Sequence, residues 1–144
     1  VDEKTATACI AKTFDIMKCL ASGQPRPVTG VLDDYDEFRR HVALLTTAGV
    51  LDEPAHQKTR RAFAKFIQQF HGNIDAIVTT RYNAARRDVD EAKTPSAKRI
   101  VVTDAAEELE RLVQYPEHRE HSLLNRVVGT LRDWEGKLGV NSKR

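Results

Sequence analysis

The chain has 144 residues, with 40% hydrophobic and 31% charged side chains and a net charge of +2. That length and balance predict one soluble, globular domain able to bury a core without disulfide or metal staples. No apolar run approaches the roughly 18–20 residues of a membrane-spanning helix. The first residue is Val1, and neither a signal-peptide pattern nor an initiating methionine is present, so residues 1–144 read as a single helical-bundle domain, complete or excised from a longer chain.

The periodicity is helical throughout. Residues 3–21 form the first predicted helix: Ala6, Cys9, Ile10, Thr13, Phe14, Ile16, Met17, Leu20 and Ala21 cover an arc of about 160°, wide enough to be packed on two sides. It ends at Ser22-Gly23, before a loop stiffened by Pro25 and Pro27. Cys9 and Cys19 lie about 15 Å apart along that helix, beyond disulfide reach of each other. They read as core or near-core thiols of a soluble, intracellular protein in a reducing compartment.

A second helix is predicted from Asp33 to about Ala48, with Tyr35, Phe38, Val42 and Leu45 on its buried face. Asp33, Asp34, Asp36 and Glu37 crowd its predicted first turn, where carboxylates complement the positive end of the helix dipole. Gly49 stands where a left-handed C-cap is wanted, and Val50 and Leu51 are placed to fold back onto the helix end. The segment 33–51 ends as recognition helices of winged-helix domains often do, but a long helix follows in place of a wing, which argues against that reading.

The longest predicted element is one helix from about Ala55 to Lys93, capped by Asp52 with Pro54 in its first turn. Phe63, Phe66, Ile67, Phe70, Ile74, Ile77 and Val78 fall in an arc of about 120°. His71-Gly72-Asn73 is its weak point. Gly72 predicts a bend or a C-cap there, and an unbroken helix is the preferred reading. Residues 55–100 carry a net charge of +6, whereas residues 1–54 carry −3 and residues 101–144 carry −1.

On that wheel Lys58, Arg61, Lys65, Arg86 and Arg87 form a basic ridge within about 100°, opposite the apolar stripe and suited to spaced phosphates. Arg81 projects into the apolar arc, so either it is paired inside the bundle or the helix has left the core by that point. The thinning stripe after Val78 favours the second, with Arg81, Tyr82, Arg86 and Arg87 protruding toward a partner.

Thr94-Pro95 reads as the stop of the long helix, and residues 94–102 as an extended linker. A short helix capped at Thr103 or Asp104 buries Leu109, Leu112 and Val113 and breaks at Tyr115-Pro116. The last helix runs from about Glu117 to Leu138, with Leu124, Val127, Val128, Leu131, Trp134 and Leu138 as its stripe. Gly139 ends it, and residues 140–144 read as a frayed tail.

Sites of chemistry are sparse. Glu117-His118-Arg119-Glu120-His121 offers two histidines and two carboxylates, but the spacing fits neither a His-Glu-x-x-His zinc site nor the Glu-x-x-His pairs of a diiron bundle. It reads as a solvated helix start. Nucleophile-elbow and phosphate-loop patterns are missing from the sequence.

The expected architecture is therefore all-α, an elongated bundle of four to five helices with one long central basic helix. The expected function is a non-enzymatic assembly or interaction module acting through that helix on a protein partner or a second copy, with no cofactor and no metal. The alternative is a small helical subunit binding the nucleic-acid backbone. Lys58, Arg61, Lys65, Arg81, Tyr82, Arg86 and Arg87 are the candidate contacts for either.

Overall fold

A computed structural model describes residues 2–22 and 26–142, with side chains up to Gly139. Six α-helices account for most of them: α1 Glu3–Ala21, α2 Val28–Thr47, α3 Gln57–Gly72, α4 Ile74–Glu91, α5 Pro95–Val113 and α6 Ser122–Ser142. Short 3₁₀ turns at Val50–Asp52, Pro54–His56 and Pro116–His118 complete the connections, and there is no strand among the described residues. No helix among these residues is long and apolar enough to cross a membrane. Packing groups the chain into two compact units, Val1–Phe70 and His71–Arg144.

The first unit is built around aromatic rings. The Phe38 ring, fully buried on α2, lies 5.9 Å from Phe63 in an edge-on contact and 5.0 Å from Phe66. Tyr35, one turn earlier, stacks on Phe70 at 3.9 Å, so α2 and α3 run antiparallel. Phe14 brings α1 to the same cluster, 5.5 Å from Phe63. All five phenylalanines of the chain sit here. Deeper in α1, the Thr13 hydroxyl donates to the Cys9 carbonyl at 2.7 Å, so at 3.2 Å it accepts from His41 Nδ1.

The first helix spans Glu3–Ala21 as expected, and the later helix starts depart from expectation. Asp2 caps α1, its carboxylate accepting from the Thr5 amide. The second helix begins at Val28, five residues before Asp33, because Pro27 already holds a helix-compatible φ and Arg26 anchors the turn. Arg26 Nη2 reaches Asp34 at 2.6 Å, so that carboxylate serves an ion pair and not the helix dipole. Gly23, Gln24 and Pro25, including the predicted end of the first helix, lie outside the described residues. At the far end the expectation holds: Gly49 adopts φ +76, and Val50 and Leu51 fold back into the core. Cys9 is half-buried and Cys19 exposed, both as free thiols, so Cys19 is not a core residue.

The stretch 55–93 is two helices, not one. Two 3₁₀ turns occupy residues 50–56, and α3 starts only at Gln57. At Asn73 the backbone (φ −95, ψ 0) interrupts the helical series. Gly72 keeps a negative φ, so the break is not a left-handed cap. The physical reason lies in the stripe. Phe70 is buried with Tyr35 in the first unit, whereas Ile74 is buried in the core of the second. A single straight helix would have to serve both cores with one face.

The second unit is an up-down-up bundle of α4, α5 and α6. Arg81 on α4 meets Glu108 on α5, and Lys98 near the start of α5 donates to the Val89 carbonyl near the end of α4, so these helices are antiparallel. His121, just before α6, pairs with Asp75 at the start of α4, which sets α4 and α6 parallel. The core is aliphatic: Ile74, Val78, Val102, Leu109, Leu112, Leu124 and Leu131 are all fully buried or nearly so.

The predicted linker 94–102 is the first part of α5. Thr94 accepts from the Ala97 amide at 3.1 Å, with Pro95 in the first turn. The dipeptide read as a stop is therefore an N-cap and its following proline, the arrangement that favours helix entry. In the last helix, Glu117 and His118 belong to a 3₁₀ turn, α6 starts at Ser122, and it continues through Gly139 to Ser142. Lys143 and Arg144 lie outside the described residues.

Candidate interaction groove

Of the seven sequence-level contact candidates, three sit on α3 and four on α4. Lys58, Arg61 and Lys65 are exposed on α3 of the first unit. Arg81, Tyr82, Arg86 and Arg87 belong to α4 of the second. The break at Asn73 divides the basic ridge between two helices, because the wheel that aligned it assumed one axis.

The far end of α4 does not leave the core. Ala85 and Val89 are buried and continue the stripe of Ile74 and Val78 with small side chains. Arg81 takes the first of its two expected alternatives. Its Nε donates to Glu108 Oε2 at 2.7 Å, and the two side chains are only 14% and 22% exposed. A charge on the buried stripe is kept there by an opposite charge on the facing helix.

Tyr82 and Arg86 instead face a groove between α4 and α6, whose other walls are Thr130, Trp134 and Lys137. It encloses about 430 Å³ and opens to solvent. Tyr82 and Trp134 are half-buried, whereas Arg86, Thr130 and Lys137 are exposed. The core of this unit is filled by aliphatic side chains, and the two large rings stand half-buried at the seam. Two flat apolar walls, two cations and a hydroxyl thus converge within one concavity. Arg87 is exposed and does not line it.

Trp134, Thr130 and Lys137 were not among the sequence candidates. Trp134 reads from periodicity as a core residue, and its spacing to Thr130 and Lys137 gains meaning only once α4 lies parallel alongside.

A polar network ties α5 to α6. Arg132 Nη2 and Nε both donate to Glu110, the latter at 3.3 Å, and Nη1 donates to both oxygens of Glu135 at 3.0 and 3.1 Å. Thr103 donates its hydroxyl to Glu135 as well. The Thr103 hydroxyl, with Arg132 beside it, holds the Glu135 carboxyl below its ordinary range, while the carboxylates hold the Arg132 guanidinium above its own.

The histidine segment also departs from its solvated reading. Arg119 and Glu120 are exposed, but His118 is completely buried. Its Nδ1 lies 2.9 Å from Nδ1 of His71, and the two rings stack at 5.2 Å. His121 meets the His71 ring edge-on at 5.1 Å. The partner stands 47 positions away in sequence, so no local motif could reveal it. No group of three His, Cys, Asp or Glu side chains among the described residues is arranged to hold a metal ion.

Comparison with protein-family models, curated proteins and solved structures found no match for this chain.

Proposed function

We propose that the chain is a non-enzymatic interaction module that engages a protein partner through the α4–α6 groove. The occupant we infer is a segment presenting a carboxylate next to an aromatic or large aliphatic side chain. The carrying observation is the convergence of Tyr82, Trp134, Arg86 and Lys137 in one concavity. Tyrosine, tryptophan and arginine dominate the energetics of protein interfaces, because they supply rigid apolar area together with a directional polar end. The Arg86 fork matches a carboxylate in two parallel hydrogen bonds, and Lys137 adds a point charge.

Charge balance favours a protein over a nucleic-acid backbone. Residues 71–144 carry 13 basic and 12 acidic side chains, net +1. A phosphate-tracking surface needs a one-signed field over several turns. Free thiols at Cys9 and Cys19 suit a reducing compartment.

Trp134 is the chain's sole tryptophan, so its emission reports on the groove directly. Titration with short acidic peptides containing Phe or Leu is expected to shift that emission saturably, and Arg86→Glu with Lys137→Glu is expected to abolish the shift. An oligonucleotide that shifts it instead, with binding that weakens steeply between about 50 and 200 mM salt, would establish the nucleic-acid reading. Silence toward both ligands overturns the groove as the contact site.

A further inference from the structure

Two large apolar side chains stand exposed among the described residues, Leu44 at 53% and Ile100 at 62%. Their surroundings differ. One turn either side of Leu44 stand Arg40, His41, Thr47 and Ala48, with no carboxylate among them. One turn beyond Ile100 on α5 stands Asp104, and Glu107 follows, both exposed. On the helical wheel Ile100, Asp104 and Glu107 fall within about 60°, so they form one outward ridge. A large aliphatic side chain beside carboxylates is the chemistry that suits the walls of the α4–α6 groove.

The basic residues of α5 leave that match in place. Arg99 stands about 100° round the helix from Ile100. It lies against Gly139 of α6, its Nε 3.0 Å from a Cβ built on that glycine, and the Glu135 carboxylate attracts it. Lys98 is turned to α4, where it donates to the Val89 carbonyl. Arg111 is half-buried, one turn past Glu107.

Spacing matches as well as charge. Because α4 and α6 run parallel, Arg86 follows Tyr82 and Lys137 follows Trp134 in the same direction. Both cations therefore stand about one helical turn beyond the rings. Asp104 stands about 6 Å beyond Ile100, also one turn. A ridge laid along the groove in that direction puts Ile100 on the two rings when Asp104 reaches the cations. The groove is lined by residues of α4 and α6, and the ridge belongs to α5, so the contact joins two chains.

We propose that the groove's occupant is a second copy of this chain, which seats the Ile100–Asp104–Glu107 ridge of its α5 on Tyr82 and Trp134 and sets its carboxylates against Arg86 and Lys137. Groove and ridge are different surfaces, so the contact is heterologous. Each copy that fills one groove offers its own to the next, and the series closes as a ring or extends as a filament. This occupant rests on the groove function proposed above, whereas the groove function does not rest on this occupant.

Sedimentation velocity of the intact chain between about 10 μM and 1 mM tests it, the range expected of a small, partly polar contact. Species larger than a dimer are expected at the upper concentrations, and the Trp134 emission is expected to shift on dilution. Ile100→Ser with Asp104→Ser removes the ridge and keeps the groove, and Arg86→Ser with Lys137→Ser does the reverse. All four side chains are exposed, so each double variant is expected to be folded, and alone to stay monomeric. An equimolar mixture of the two is expected to form a dimer and nothing larger, because one intact ridge then meets one intact groove. A monomer throughout the range, while acidic peptides still shift Trp134, overturns the second copy as occupant and leaves the groove function standing. Silence toward those peptides as well overturns both. Self-association that persists in the ridge variant, or a mixture that stays monomeric, also overturns the contact.

Discussion

Arg81 on α4 and Glu108 on α5 form a half-buried ion pair at 2.7 Å, at a position where the helical wheel placed a cation in the apolar stripe. Arg81→Met and Glu108→Met are each expected to lower stability by about 1–3 kcal/mol, since each leaves its former partner's charge in a poorly solvated site. The double variant is expected to lose less than the sum, with a coupling of about 1–2 kcal/mol. Urea unfolding of the four proteins measures the cycle.

Acid sensitivity is expected at Glu135. The folded state holds its carboxyl below the ordinary 4.5, first through the Thr103 hydroxyl and then through Arg132. A depressed folded value means that the unfolded chain binds the proton more tightly. The contribution is therefore present above pH 4.5 and is lost as pH falls through the folded value. Melting temperatures from neutral pH into the acid range are expected to fall more steeply for the unaltered chain than for Thr103→Val.

Two glycines are expected to respond in opposite directions to the same substitution. Gly49 sits at φ +76, and a Cβ there meets nothing within 4 Å, so the cost of Gly49→Ala is backbone strain alone, about 1–2 kcal/mol. Gly136 lies inside α6, also with open space around a built Cβ. Gly136→Ala is expected to stabilise by about 0.5–1 kcal/mol through helix propensity. Thermal unfolding of both variants gives the signs.

Charge reversal at the groove is expected to separate binding from folding. Arg86 and Lys137 are exposed, so Arg86→Glu and Lys137→Glu are each expected to change stability by less than about 0.5 kcal/mol. Reversal of Arg87, exposed but outside the groove, is expected to leave peptide binding within about twofold, as befits a charge outside the contact. Circular dichroism melts alongside the Trp134 titration check both points.

The sequence by itself determined the helical class and most of the buried faces. Phe38, Phe63, Phe66, Phe70, Leu109, Leu124 and Leu131 are buried as their spacing of three and four demands. Gly49 also behaved as read, because a left-handed cap is a local property of one backbone position. Local signals misled where a neighbour in space decided. Thr94-Pro95 fits either end of a helix, and in the fold it is a start, with Thr94 accepting from the Ala97 amide and Lys98 reaching back to the Val89 carbonyl. An unbroken helix through Asn73 was consistent with the stripe, since Phe70 and Ile74 share a face. Only the tertiary structure assigned those two residues to different cores. It also put Trp134 beside Tyr82 and His118 against His71, since helix periodicity specifies which face is covered but carries no information about what covers it.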